Sequence, residues 1–218
     1  MSRASPASAG RDDLTIELAA TAARLIAEDG CDYATAKRKA AQLVFGSAAP
    51  PRGRLLPDND LVEAQLRSYL RTFGGEQHAR LLADLRALAL GLMDYLADFN
   101  PHLVGAVLNG TAPEHSAVHQ HQFTDSAKDV EMRLLDDGVR FEVGEGDPAA
   151  GELETIRMQV PRRMRGATSG AEAMLSVLHT DALRVAARFR STDPTLTPIE
   201  RSGRAAAPAL RALLAGGA

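Results

Sequence analysis

The dipeptide Asn100-Pro101 separates two different hydrophobic periodicities, and this break constrains the fold more than any other feature of the chain. Upstream, apolar residues recur every three or four positions, as in helices with one buried face. Downstream they come in short alternating runs, as in half-buried strands. Proline cannot carry a helix onward, because it lacks the N–H and clashes with the preceding turn. The expected fold class is therefore α+β: a disordered tail over residues 1–11, a helical region over 12–100 and a mixed-sheet α/β module over 101–218.

In the front part, Leu14, Leu18, Ala22, Leu25 and Ile26 predict a helix starting at Asp12 or Asp13 and stopped by Gly30. A second is expected after Tyr33, through Ala36, Ala40, Leu43 and Val44 to Gly46. Pro50, Pro51 and Pro57 make residues 47–59 a linker. A third helix runs from Asp60 to Phe73 and is broken by Gly74-Gly75. The fourth and longest extends from Glu76 to about Phe99, with Leu81, Leu85, Leu88, Leu92, Tyr95 and Leu96 on one face.

Charge and composition narrow the function classes. A net charge of −3 gives no general attraction to phosphate backbones or anionic lipid. Arg162, Arg163 and Arg165 form a short basic cluster that reads as a strand end, and the run Lys37-Arg38-Lys39 falls on the polar side of a helix. No stretch approaches the roughly 20 apolar residues of a membrane span. Cys31 is the only cysteine, which excludes an internal disulfide and fits a reducing, cytoplasmic setting. With Asp29 and Asp32 beside it, the thiol reads as structural.

The segment Ala23-Arg24-Leu25-Ile26-Ala27-Glu28-Asp29-Gly30, followed by Ala34-Thr35-Ala36-Lys37, resembles the first helices of bacterial TetR-type repressors. The next segment there should be a recognition helix. Here it contains Pro50-Pro51, which cannot sit inside one, so no DNA partner is expected.

Beyond Pro101, the apolar run 102–108 reads as a strand ending at Asn109-Gly110-Thr111, and Val118–Phe123 as its neighbour. Asp125 or Ser126 is expected to cap a helix over 127–137. Strands follow at 139–143, 153–160 and 173–178; residues 181–190 and 203–214 look partly helical.

The stretches Leu108-Asn109-Gly110-Thr111-Ala112-Pro113-Glu114-His115-Ser116 and Phe123-Thr124-Asp125-Ser126-Ala127-Lys128-Asp129-Val130-Glu131 are similar to a group of bacterial nucleotidyltransferase-like proteins. The resemblance covers roughly residues 99–184. It implies a small mixed sheet in which a glycine turn admits a polyphosphate and strand carboxylates hold two magnesium ions. By position those carboxylates fall at Ala117, His119 and Met174, which cannot serve a hard cation. The implied protein is catalytically inactive or altered. It would bind a nucleotide or other phosphate-containing ligand near Gly110, Thr111, Ser116, His119 and His121, with no catalytic residue or metal assigned and the cofactor left unknown. Some of the similar proteins carry a name implying a muramate-alanine ligase. No Gly-x-x-x-x-Gly-Lys-Ser/Thr loop occurs here, so that activity is rejected.

Alternatives remain open at this level. Active transfer could use relocated acids such as Glu114, Glu152 or Glu154. The Ala- and Leu-rich helices could instead serve protein interaction, including a homo-oligomer. His115, His119 and His121 could clip zinc or nickel with Glu114 or Asp125, although polar residues on a half-exposed strand explain them without a metal. Ser116 lacks the Gly-x-Ser-x-Gly elbow of a hydrolase.

Overall fold

The computed structural model describes residues 6–46, 56–114, 116–160, 172–185 and 196–216, with backbone alone for 6–11. The fold is α+β, divided into two compact units, Met1–His78 and Ala79–Ala218.

The first unit packs α1 (Pro6–Asp29) against α2 (Tyr33–Phe45) and α3 (Asn59–Tyr69). Its core is built from small and branched residues: Leu18, Ala19, Ala22 and Ala23 of α1, Ala36 and Ala40 of α2, Val62 and Leu66 of α3. Alanine at these positions suits a chain with few aromatics, because helices with short side chains at their contacts approach closely. Aspartates start two of the helices. Asp32 Oδ1 accepts from Thr35 N at 2.9 Å and Asp58 Oδ1 from Leu61 N at 2.8 Å, each satisfying a donor that a helix N-terminus leaves open. The first helix begins upstream of Asp12, where the sequence pattern suggested its start.

Gly74-Gly75 separate the third helix from the fourth, as the sequence implies. A π turn over Leu70–Gly74 leads directly into α4 (Gly75–Tyr95), and Gly75 redirects the chain at φ +51°, a value that side-chain-bearing residues rarely adopt. The boundary between the units falls inside α4, which at 21 residues is shorter than α1 at 24, against the expected order, and contributes most of its length to the sheet-containing unit.

In the second unit, β1 (His102–Val104), β2 (Val118–Phe123), β3 (Phe141–Glu145), β4 (Glu152–Gln159), β5 (Glu172–Leu178) and β6 (Arg204–Ala206) form one sheet in the order β3-β4-β5-β2-β1-β6. Only β2 and β5 pair in parallel. The register aligns whole rows of side chains across the sheet. One row, Ala205, Leu103, Gln120, Leu175, Ile156 and Val143, belongs to the covered face. Leu85, Leu88 and Leu92 of α4 and Val130 and Leu134 of α6 (Ala127–Asp136) share its core. The adjacent row, Arg204, Val104, His119, Met174, Arg157 and Glu142, belongs to the opposite face, where every one of these residues is half-buried or exposed.

Several expectations need correction. The run 102–108 is a strand only to Val104; Gly105–Asn109 is a short helix, α5, because Gly105 turns the chain at φ +72° out of the sheet. β1 and β2 are nonetheless antiparallel neighbours. β3 begins at Phe141 instead of Val139. Ser126 occupies the N-cap of α6 without a side-chain hydrogen bond. The C-terminal stretch contains α7 (Pro198–Arg201), strand β6 and α8 (Ala207–Gly216), and β6 was not foreseen. The Arg162, Arg163 and Arg165 cluster and most of the linker at 47–59 lie outside the described residues. Among those described, no helix is long and apolar enough to cross a membrane.

Candidate functional site

Strand β2 divides its polar side chains between the two faces. Gln120 and Gln122 are fully buried: Gln120 Nε2 donates to Ala89 O of α4 at 2.8 Å, and Gln122 Nε2 to Gln120 Oε1 at 3.3 Å. His119 and His121 alternate with them and lie on the open face, as the period of two requires. His121 is paired in register with His102 of β1 and Ser176 of β5; His119 with Val104 and Met174.

Around these histidines the open face is polar at one end and closed at the other. Phe123 is buried there, with the rings of His102 and His121 edge-on at 5.3 and 6.2 Å and the Arg204 guanidinium 5.5 Å from its centroid. Arg204 is itself held by the carbonyls of Leu183 at 2.8 Å and Val185 at 2.7 Å. His102 Nδ1 lies 2.8 Å from Asn100 O. Loss of surrounding water pushes His102 below the ordinary histidine value, with Arg204 acting in the same sense and the Asn100 contact opposing it. His119 is also depressed by the protein packed along its flanks, although its edge remains exposed, and the Glu172 carboxylate acts against this. Both imidazoles are therefore held toward the neutral form. Gly105 stands beside His119: a Cβ there would come within 3.8 Å of the histidine Cβ.

The five sequence-derived ligand residues do not converge. His119 and His121 share the open face. Gly110 and Thr111 lie instead at the C-terminal end of α5. A Cβ on Gly110 would meet Glu200 Oε1 and Leu82 Cδ2 at 3.8 Å and Arg86 Nη2 at 3.9 Å. Thr111 is buried, and its hydroxyl donates to Asn109 Oδ1 at 2.6 Å, so it is committed to the local turn. Ser116 is half-buried in the connection before β2, with its N–H donating to Pro113 O at 3.0 Å.

The candidate acids are dispersed as well. Glu152 Oε2 accepts from Asp147 N at 3.1 Å. Glu154 points to the covered face, 3.7 Å from Lys128 of α6; burial first, and then a hydrogen bond with Glu131, raise its carboxyl above the usual range. Glu114 is exposed in the connection preceding β2. Asp125 contacts His179 Nε2 at 3.4 Å and accepts from Thr180, which separates it from His119 and His121 as an oxygen ligand. His115 lies outside the described residues, among which no group of three or more His, Cys, Asp or Glu could hold a metal ion. At Cys31 the neighbour that bonds the sulfur is a cation, with Lys39 Nζ at 3.3 Å, while Asp32 is engaged in capping α2.

No family model, curated protein or solved structure matches the chain.

Two features escaped sequence reading. Glu172 of β5 lies on the same face as Met174 and is the carboxylate that acts on His119. Arg86 is a buried charge on the apolar side of α4: its Nε donates to Val107 O at 3.0 Å and its Nη2 to Leu108 O at 2.8 Å and Glu200 Oε1 at 2.9 Å. It closes the end of α5 and ties that helix to α7. The signal was present in the sequence, since Arg86 stands four residues after Leu82 and three before Ala89, inside an otherwise apolar stripe.

Proposed function

We propose that the second unit is a nucleotidyltransferase-like module that binds a nucleotide or another phosphate-containing ligand on its open sheet face and has no two-magnesium transfer chemistry. One observation carries this reading. His119 and Met174, which stand where the resemblance calls for carboxylates, are direct register partners on the open face, and Ala117 immediately precedes the same strand. A short helix between antiparallel β1 and β2, followed by a strand parallel to β2, also suits such a module.

The chemistry of the replacement has a consequence. Carboxylates repel a polyphosphate unless divalent cations intervene, whereas a neutral imidazole can donate a hydrogen bond to a phosphate oxygen directly. Binding should therefore be independent of magnesium. Isothermal titration with ATP is expected to give the same affinity in magnesium and in EDTA, and His119→Ala should weaken it about tenfold. Absence of heat with ATP, GTP, CTP, UTP and pyrophosphate in both buffers would remove the ligand claim. An absolute requirement for magnesium would instead argue that acids such as Glu172 still recruit the metal.

A further inference from the structure

Toward the β3 edge of the sheet, a pocket of about 360 Å³ opens where the start of β3, the end of β4 and the start of β5 meet. This is near the lower end of the volumes found for small-molecule sites, about 300–1,000 Å³. Among the described residues, four charged ones line it, Arg140, Glu142, Arg157 and Glu172, with Gln159 and the backbone neighbours Phe141 and Met158. We propose that it binds a free α-amino acid.

The charge pattern decides the ligand class. Among the described lining residues two guanidiniums balance two carboxylates, so a polyphosphate would meet as much repulsion as attraction from them. A molecule with one carboxylate and one ammonium on neighbouring atoms finds a partner for each. The guanidinium fork matches a carboxylate in two parallel hydrogen bonds, and a glutamate accepts from an ammonium. The charges are also interleaved: Glu142 and Arg157 are register partners on adjacent strands, and Glu172 lies beside Arg157 across the next pair.

These groups have bonding capacity to spare. Arg140 and Glu142 have no hydrogen-bond or ion-pair partner among the described residues. Arg157 and Glu172 approach only to 3.9 Å with 55% and 36% of their side chains exposed, so a ligand displaces little when it separates them. Arg157 and Glu142 lie in the same sheet row as His119, with Met174 between, so this site adjoins the face proposed for a nucleotide without using His119 or His121.

The test uses the full chain and three probes: L-leucine, N-acetyl-L-leucine, which lacks the ammonium, and L-leucinamide, which lacks the carboxylate. Amide chemical-shift titration should show saturable shifts at Phe141, Arg157 and Glu172 with L-leucine, and about tenfold weaker binding for either derivative. Arg157→Gln and Glu172→Gln, at partly exposed positions, should each weaken L-leucine about tenfold without altering the circular dichroism. Lack of saturable shifts with L-leucine, L-methionine and L-phenylalanine at millimolar concentration overturns the proposal. Equal binding of all three leucine probes does so too, since one charge would then be irrelevant. Shifts with ATP at His119 and His121 that leave Phe141 and Arg157 unmoved bear only on the nucleotide reading.

Discussion

The two faces of the sheet handle polar side chains in opposite ways. On the covered face Gln120 and Gln122 enter a core of leucine, valine and isoleucine, and Gln120 is anchored to a helix carbonyl. On the open face, one residue away along the same strand, His119 and His121 remain accessible to partners from outside. The difference teaches where polarity is structural: a buried polar group must be bonded within the chain, while an accessible one leaves a choice to the ligand.

The sharpest way to break that comparison is at the most heavily bonded polar group on the covered side. Arg86→Met should destabilise the protein by about 3–5 kcal/mol, because it leaves the Glu200 carboxylate unpaired and removes the donors to the Val107 and Leu108 carbonyls. Urea denaturation measures the loss. Adding Glu200→Leu to Arg86→Met should recover part of it, since the stranded charge is then gone; no recovery would mean that the carbonyl contacts dominate and the ion pair contributes little.

A smaller effect separates the two buried glutamines. Gln120→Leu should cost about 1 kcal/mol through its bond to Ala89 O. Gln122 Oε1 has no partner among the described residues, so the double variant with both positions leucine should be no less stable than Gln120→Leu alone. A double variant markedly worse than the single one would show that Gln122 contributes more than the bond to Gln120.

How much of this was legible in the sequence follows from the range of each interaction. Helices α2 and α4 and strand β5 were readable because their apolar spacing is local and long enough to repeat. Helix α5 was not: five residues do not complete two turns, and the Val-rich run reads as strand until the turn at Gly105 is known. Strand β6 has three residues and exists only by pairing with β1, about a hundred positions earlier. At the site, the alternation placed His119 and His121 on one face, but no local signal showed that Gly110 and Thr111 lie beside Arg86 and Glu200, since that contact joins α4, α5 and α7.

The last comparison is one of pH. Glu200 on the covered side is held below the ordinary glutamate value of 4.5: burial opposes this, but the Arg86 hydrogen bond and those from Thr197 prevail. Its contribution is present above 4.5 and is lost as pH falls through the lower folded value. The histidines of the open face act earlier. His102 and His119 are depressed below 6.5, so as pH drops past 6.5 the unfolded chain takes up protons that the folded one refuses, and stability falls until the folded values are reached. His119→Asn, at an exposed position, should change stability at pH 8 by less than about 0.5 kcal/mol. The same variant should show a shallower decline between pH 6.5 and 5 in pH-dependent urea denaturation. An unchanged slope would mean that the protein around His119 does not resist its protonation, and the imidazole would then meet a phosphate as a cation only below its ordinary value of 6.5.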